Sequence, residues 1–150
     1  MRVRLSILIS SFFYLGYSPI APGTVGTLGG VFLFYLISGF SPVIYLFIVV
    51  GLTIVSVWIT EIVRVSLGDS DPSIIVIDEV CGFLITMILI PPSIINVVLG
   101  FLLFRFFDIL KPPPIRRSER LSGGLGIVTD DVLAGIYANL LLQIFVRISA

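Results

Sequence analysis

Long apolar stretches, separated by short groups of proline, glycine and polar residues, form the main pattern of this chain. Proline and glycine interrupt helices and mark turns, so each apolar stretch is expected to form one helix. The pattern predicts helices over residues 24–38, 42–66, 73–90, 94–110 and 128–147. A helix of about 20 apolar residues crosses a bilayer, and most of these stretches approach that length.

Residues 1–17 begin with two arginines and continue as an apolar run, which imitates a secretory signal peptide. The only cleavage-like site lies near Ala21, and Pro22 would follow the cut. We therefore interpret this segment as a retained, short N-terminal helix at the membrane interface. The chain is predicted to be a single domain over 1–150, an all-α polytopic membrane helix bundle with about four to five spans.

The composition favours a membrane protein and excludes several kinds of chemistry. Apolar residues make up 57% of the 150 positions and charged residues 12%, whereas about 25% of residues are charged in soluble domains. The net charge is zero, so nothing points to a nucleic-acid partner. Histidine is absent and Cys81 is the single cysteine, which excludes an imidazole base, a Ser-His-Asp triad and an internal disulfide.

The basic residues predict an orientation in the membrane. Four of them share the loop after residue 110 and two mark the N-terminus, whereas the turns at 39–42 and 91–93 carry no charge. Basic loops usually stay in the cytoplasm, so we expect this loop and the N-terminus to lie there. The basic residues of the loop are Lys111, Arg116, Arg117 and Arg120.

Five of the nine carboxylates lie in or beside the apolar stretches, where ionisable groups are costly and seldom lack a function. They are Asp78, Glu79, Asp108, Asp130 and Asp131. On the predicted topology all five lie near the cytoplasmic ends of three helices, at one depth. We therefore expect one acidic cluster at the cytoplasmic face, with Glu61 and the 18–27 loop on the same side.

Such a cluster, with its basic neighbours, favours metal-assisted phosphoryl chemistry on a lipid headgroup. Several carboxylates in one place need a cation or basic partners to stay charged, and oxygen ligands select Mg²⁺ or similar ions, which share phosphate oxygens with a substrate. The side chains of Arg105, Lys111 and Arg116 suit phosphate recognition. The N–H groups near Thr24 and Gly26, where a Gly-rich loop opens a helix, would also cradle an anion.

Simpler structural roles remain open for several of these residues. Arg105 and Lys111 lie three positions before and after Asp108, the spacing of ion pairs within a helix. Asp130 and Asp131 open the predicted last helix, where the helix dipole favours negative charge. Asp130 in particular would then do no more than start its helix.

Local pairing and capping are predicted from spacing as well. Glu61 and Arg64 are expected to form a pair within their helix. Thr24, Asp71 and Thr129 are expected to cap the helices that follow them, because their short oxygen-bearing side chains accept from free N–H groups at a helix start. The Asp69–Ser73 segment is accordingly interpreted as a turn.

Small residues mark the faces at which two of the helices are expected to pack closely against a neighbour. Ala134, Gly135 and Ala138 form a small-residue face on the last helix, and Gly82 follows Asp78 by one turn. Such faces let helices pack closely. We therefore expect a neighbouring helix, with its metal ligands, to come close to each of these two helices.

Four motifs, in their order and spacing, resemble the bacterial phosphatidylglycerophosphatase A family over about residues 10–140. They are SPIAPGT at 18–24, DE at 78–79 with Gly82, FRFFDILKPPPI at 104–115, and GGLGIVTDD at 123–131 with Ala134 and Gly135. The resemblance implies a Mg²⁺-dependent phosphatase of the bacterial cytoplasmic (inner) membrane that converts phosphatidylglycerophosphate to phosphatidylglycerol and phosphate. The motif residues carry onto Thr24, Asp78, Glu79, Arg105, Asp108, Lys111, Asp130 and Asp131.

We expect Mg²⁺ to be bound by Asp78, Glu79, Asp108 and Asp131. We expect the phosphate to be held by Arg105, Lys111 and Arg116, with help from Thr24 and Gly26. The attacking group is either water, with a carboxylate as base, or one of the aspartates. Two alternatives stay open, a CDP-alcohol phosphotransferase and a non-catalytic carrier of divalent cations. The first lacks its spaced aspartates here, and the second would more often place carboxylates near the membrane midplane.

Overall fold

The computed structural model describes residues 2–118 and 121–149, so Arg120 of the basic loop lies outside the described residues. This part of the chain is helical apart from turns and loops, and the all-α prediction is confirmed. The helices are α1 (Arg2–Ser10), α2 (Pro22–Ile37), α3 (Pro42–Leu67), α4 (Ile77–Thr86), α5 (Ile94–Leu110), α6 (Ile115–Ser118) and α7 (Gly124–Ser149), with a 3₁₀ turn at Leu15–Tyr17.

The helices predicted at 42–66 and 94–110 agree in their bounds with α3 and α5, but the single helix predicted at 73–90 is wrong. Its helix, α4, has only ten residues, and turns precede and follow it. Among the described residues, α3 and α7 are the two helices long and apolar enough to cross a membrane, and α2 is apolar but has 16 residues. The count of four to five spans is therefore not confirmed.

Helix α2 begins at Pro22 rather than at the predicted position, so the cap predicted at Thr24 is wrong. The residue before the helix is Ala21, which has a left-handed conformation, and Thr24 lies inside the first turn. Proline is favoured at a helix start because its missing N–H would have no partner there. The proline-rich segment at 112–114 forms a turn.

The other two predicted caps are also wrong. Helix α7 begins at Gly124, four residues early, and the Thr129 hydroxyl donates to the Leu125 carbonyl within the helix at 2.6 Å. Asp71 does not start a helix; its N–H donates to the Asp69 carboxylate at 3.1 Å. The 69–73 segment is thus a turn, as predicted, but the helix that follows begins later.

Helix α4 is enclosed by the rest of the bundle. Every residue in it except Glu79 is buried, and it packs against α1, α2, α3, α5 and α7. Cys81 is buried and free. Because the helix is covered by these neighbours, the residues at its start are held in place.

Small residues allow α4 and α7 to cross closely, so the neighbour predicted for each small-residue face is the other of these two helices. A Cβ atom on Gly82 would lie 2.8 Å from the carbonyl oxygen of Asp131, and one on Gly135 would lie 3.2 Å from the carbonyl carbon of Gly82. Ala134 and Ala138 are fully buried at the same crossing. Backbone contact at this level brings Asp131 alongside the first turn of α4.

Asn139 of α7 binds the other end of α4. Its side-chain amide donates to the carbonyl oxygens of Thr86 at 2.8 Å and Ile88 at 2.9 Å. Asn139→Leu would leave two shielded carbonyls without this donor, so we expect the free energy of unfolding in detergent to fall by about 1–3 kcal/mol. Gln143 makes one longer bond, to Ile88 at 3.2 Å. A loss for Gln143→Leu as large as that for Asn139→Leu would contradict this account.

Candidate active site

An open cavity of about 750 Å³ lies where the first turns of α4 and α7 meet the end of α5 and the start of α2. All five carboxylates singled out in the sequence line this cavity, together with Arg105 and Lys111. The charged residues of its wall are Arg64, Asp71, Asp78, Glu79, Arg105, Asp108, Lys111, Asp130 and Asp131. Charged residues that lie up to 67 positions apart in the chain therefore share one space.

Three carboxylates form the centre of the site. Asp78, Glu79 and Asp131 each place one oxygen within 4.8 Å of the others. Glu79 Oε2 and Asp131 Oδ1 are buried and accept no hydrogen bond from the described residues. Burial removes the water that would otherwise stabilise these charges, and their mutual repulsion adds to the cost. The arrangement therefore favours a cation between the three side chains.

The donor set fits Mg²⁺ better than a soft metal. Among the described residues of the wall, the ionisable side chains that could ligate a metal are carboxylates, and no cysteine lies there. The chain has no histidine. Hard cations prefer oxygen, whereas zinc and copper prefer sulfur and imidazole. The open cavity also leaves room for the waters and phosphate oxygens that usually complete the shell of Mg²⁺.

Asp108 is placed beside these three carboxylates but has a partner of its own. Its Oδ2 accepts from Arg105 Nη1 at 2.5 Å, an i,i+3 pair on α5. Arg105 Nε is buried without a partner in the described residues, so part of this guanidinium stays available to an anion. The expectation that Asp108 is a fourth metal ligand stays a prediction, and the pair gives Asp108 a second role in holding Arg105.

Gly23 is a site residue that the sequence analysis missed. A Cβ atom there would lie 3.1 Å from Arg105 Nη1 and would meet Glu79 Oε1 even more closely. Only a glycine lets the start of α2 approach both side chains. The signal in the sequence was its position directly after Pro22, which places it at the helix start and not in the preceding loop.

Asp130 lies well inside α7 and not at its start, so the helix-start role left open for it is wrong. The helix begins six residues earlier, at Gly124. Asp130 Oδ2 accepts from Lys111 Nζ at 2.6 Å, and Asp130 Oδ1 is buried without a partner in the described residues. The same helix start removes that role from Asp131, and both aspartates belong to the cavity wall.

Glu61 accounts for the early start of α7. Its Oε2 accepts from the N–H of Gly124 at 2.7 Å, one of the free N–H groups at the start of a helix. The predicted pair with Arg64 is confirmed: Arg64 donates from Nε at 3.0 Å and from Nη2 at 2.7 Å. Gly123 has a positive φ of 73°, and a Cβ there would lie 2.5 Å from Glu61 Oε2.

Three residues predicted to bind substrate are not among those that line the cavity in the described parts of the chain. Gly26 is buried against Val76, whose Cβ would lie 2.6 Å from a Cβ on the glycine, which indicates close packing. Thr24 lies in the first turn of α2, and Arg116 is exposed on α6. A contact between any of them and a phosphate stays a prediction.

Comparisons with known proteins extend these observations. The family model described as phosphatidylglycerophosphatase A matches residues 8–146. A protein of that name from Escherichia coli K12 is 35% identical over 131 residues, which cover 86% of this chain and 76% of that protein. Another, from Haemophilus influenzae, is 41% identical over 121 residues, which cover 79% of this chain and 74% of that protein. A Bacteroides thetaiotaomicron protein, provisionally described as a phosphatidylinositol-3-phosphatase, is 35% identical over 148 residues, 93% of this chain and 92% of its own. No solved structure matches.

Proposed function

Because the chain belongs to the phosphatidylglycerophosphatase A family and is a phosphatase, we propose that it hydrolyses the terminal phosphomonoester of phosphatidylglycerophosphate with the help of Mg²⁺. The products are phosphatidylglycerol and inorganic phosphate. One observation carries the proposal: a single cavity combines three clustered carboxylates with two cationic side chains. The first group suits a metal and the second suits a phosphate.

Asp78, Glu79 and Asp131 would hold the ion, which when bound supplies positive charge to the transferring phosphoryl group. Arg105 and Lys111 bind the phosphate oxygens that remain. Each of them already donates to a cavity carboxylate, Asp108 or Asp130, which fixes where its cationic head lies before substrate arrives. Such preorganisation limits the cost of reorganising the site during the reaction.

The unpartnered oxygen of Asp130, Oδ1, supports a direct role in the reaction. It is buried in the cavity wall while Oδ2 accepts from Lys111. Two routes of attack use the carboxylates present: a water from which a carboxylate takes a proton, or an aspartate that forms an acyl-phosphate. Either route leaves Lys111 to orient Asp130 and to stabilise negative charge beside it.

We further propose that the protein is a multi-pass protein of the bacterial cytoplasmic membrane with its site at the cytoplasmic face. The outward faces of the long helices support this placement, because Phe47, Trp58, Ile94 and Ile148 are each more than 70% exposed. Side chains of this size are unfavourable in water and favourable in lipid. The charged cavity and the basic 111–117 segment lie together at one end, as the positive-inside rule expects.

The relative from Bacteroides thetaiotaomicron supports a second candidate substrate, phosphatidylinositol 3-phosphate. Its similarity covers nearly the whole of both chains. Like phosphatidylglycerophosphate, that lipid carries a terminal phosphomonoester and an inner phosphodiester. Family membership does not favour the two earlier alternatives, a cation carrier and a CDP-alcohol phosphotransferase.

Phosphate release by the purified protein tests the proposal directly. We expect kcat/KM for phosphatidylglycerophosphate to exceed that for phosphatidylinositol 3-phosphate and for phosphatidic acid by about tenfold or more. Removal of divalent cations with a chelator should lower the rate by about 100-fold, and added Mg²⁺ should restore it, because the metal supplies several kcal/mol of charge stabilisation.

Three other outcomes would change the assignment. Faster hydrolysis of phosphatidylinositol 3-phosphate would favour the second candidate. A rate that does not respond to the chelator would exclude the metal role of the three carboxylates. The absence of phosphate release from every lipid, by protein whose thermal unfolding in detergent is cooperative, would overturn the proposal.

A further inference from the structure

The cations of the cavity are balanced in two different ways. Arg105 and Lys111 donate to Asp108 and Asp130, which themselves line the cavity. Arg64 donates instead to Glu61, which is not one of the lining residues. Arg64 therefore brings to the cavity wall a guanidinium group whose ionic partner lies outside the described lining.

Arg64 is held in a defined position. Its Nε and Nη2 both donate to the one carboxylate of Glu61, a forked arrangement that restricts the guanidinium plane. Nη1 donates to no residue of the described chain. Glu61 is itself fixed, because it also accepts from the N–H of Gly124. The geometry thus presents a rigid cation, with donor capacity left over, to the cavity.

The contact with Gly124 places this guanidinium relative to the acidic cluster. Asp131 follows Gly124 by seven residues, which corresponds to about 10 Å along α7. The side chain of Asp131 leans back toward the start of the helix, so its oxygens lie somewhat nearer to Arg64 than that. Asp71 also lines the cavity, but the side-chain hydrogen bonds of Arg64 to described residues go to Glu61 and not to Asp71.

This spacing matches a headgroup with two phosphates. Six bonds join the two phosphorus atoms across a glycerol bridge, as many as in two extended residues, so these atoms are about 7 Å apart. A terminal phosphomonoester at the acidic cluster would therefore bring the inner phosphodiester close to Arg64. Phosphatidic acid, which has only the phosphomonoester, could not make both contacts.

We propose that Arg64, held by Glu61, is a specificity-determining residue that binds the inner phosphodiester of the lipid substrate. The inference rests on the proposed function, because it requires a substrate with both phosphate groups. It adds a second anion contact that neither the motifs nor the family match assigns. The consequence is selection for lipids whose phosphomonoester is separated from the acyl chains by a further phosphate.

Arg64→Gln tests the inference by its effect on KM for two lipids with the same acyl chains. We expect KM for phosphatidylglycerophosphate to rise by about 10- to 100-fold, the effect of losing a charge-assisted hydrogen-bond pair. KM for phosphatidic acid should change by less than about twofold, because this lipid has no phosphodiester for Arg64 to bind. The kcat for both lipids should also change by less than about twofold, because the contact with the phosphodiester is the same in the ground state and in the transition state. Arg64→Lys keeps the charge without the fork and should raise KM less.

A matched control is Arg117→Gln, which removes a cation from an exposed position on α6. It should leave both KM values unchanged. An equal loss with both lipids, or no change with either, would overturn the inference. Thermal unfolding of each variant is also measured in detergent, because Arg64→Gln leaves Glu61 without its partner. If the role of Arg64 were purely structural, the unfolding temperature would fall and KM would change equally for both lipids.

Inhibition by phosphatidylglycerol separates this inference from the proposed function. This lipid keeps the phosphodiester and lacks the phosphomonoester, so we expect its competitive inhibition of phosphatidic acid hydrolysis to weaken about tenfold in Arg64→Gln. If the unaltered protein hydrolyses phosphatidic acid but not phosphatidylglycerophosphate, the proposed function fails and the inhibition constants still decide the role of Arg64. Unchanged inhibition in the variant would contradict that role.

Discussion

Asp131→Asn is expected to lose on the order of 10³-fold in kcat with phosphatidylglycerophosphate while the protein remains folded, because in the proposed reaction several kcal/mol of transition-state stabilisation would depend on a metal that this carboxylate helps to hold. Asp131 supplies one of three oxygens that lie within 4.8 Å of each other. An amide offers one neutral oxygen in place of a charged one, so affinity for a divalent cation falls. The variant also removes a buried charge whose Oδ1 has no partner, so the free energy of unfolding without metal should stay equal or increase.

Asp69→Asn serves as the matched control for this variant. Asp69 accepts from the N–H of Asp71 in an exposed turn, and an asparagine oxygen can accept the same bond. Phosphate release, Mg²⁺ dependence and thermal unfolding are measured for both variants. Near-normal turnover by Asp131→Asn at ordinary Mg²⁺ concentrations would show that this carboxylate is not part of the metal site.

Gly135→Ala is expected to destabilise the protein by about 1–3 kcal/mol and to lower activity with it, because the added methyl group has no space at the crossing of α4 and α7. The new Cβ atom would lie against the carbonyl group of Gly82, and backbone atoms cannot turn aside as a side chain can. Separation of the two helices would also move Asp131 away from Asp78 and Glu79, so activity should fall even in the folded fraction.

Gly51→Ala isolates the effect of the crossing. Gly51 also lies inside a long helix, and nothing stands within 4 Å of the position its Cβ would take. Alanine favours a helix interior by about 0.5–1 kcal/mol over glycine, so this variant should be neutral or slightly more stable. Equal unfolding temperatures for the two variants, measured in the same detergent, would refute the close crossing.

The sequence predicts helix boundaries well where local chemistry sets them. Helix α3 follows Ser41 and α5 follows Ser93, and each serine accepts from an N–H of the first turn. Helix α4 could not be predicted in the same way, because its apolar run continues past both of its ends. Its end is set by contacts with Asn139, and the start of α7 by Glu61, 63 positions away.

The same distinction applies to the site. The depth of each carboxylate follows from its position in an apolar stretch, which is why all five were expected in one layer. Which of them meet depends on rotation and separation of the helices, set by contacts such as that between Gly82 and Gly135. The pairing of Asp130 with Lys111 and the approach of Gly23 to Glu79 both required the folded chain.

The burial of α4 has a consequence for biosynthesis. As a ten-residue helix it covers about 15 Å, half of the roughly 30 Å hydrocarbon core, so it is a poor candidate for independent insertion by the translocon. Its contact between Thr86 and Gly135 joins positions 49 residues apart. The nascent chain therefore carries Asp78 and Glu79 of the cavity wall without their cover until α7 leaves the ribosome. Activity should appear only after that step, and ribosome-stalled chains that end before α7 should be inactive and readily cleaved by membrane proteases.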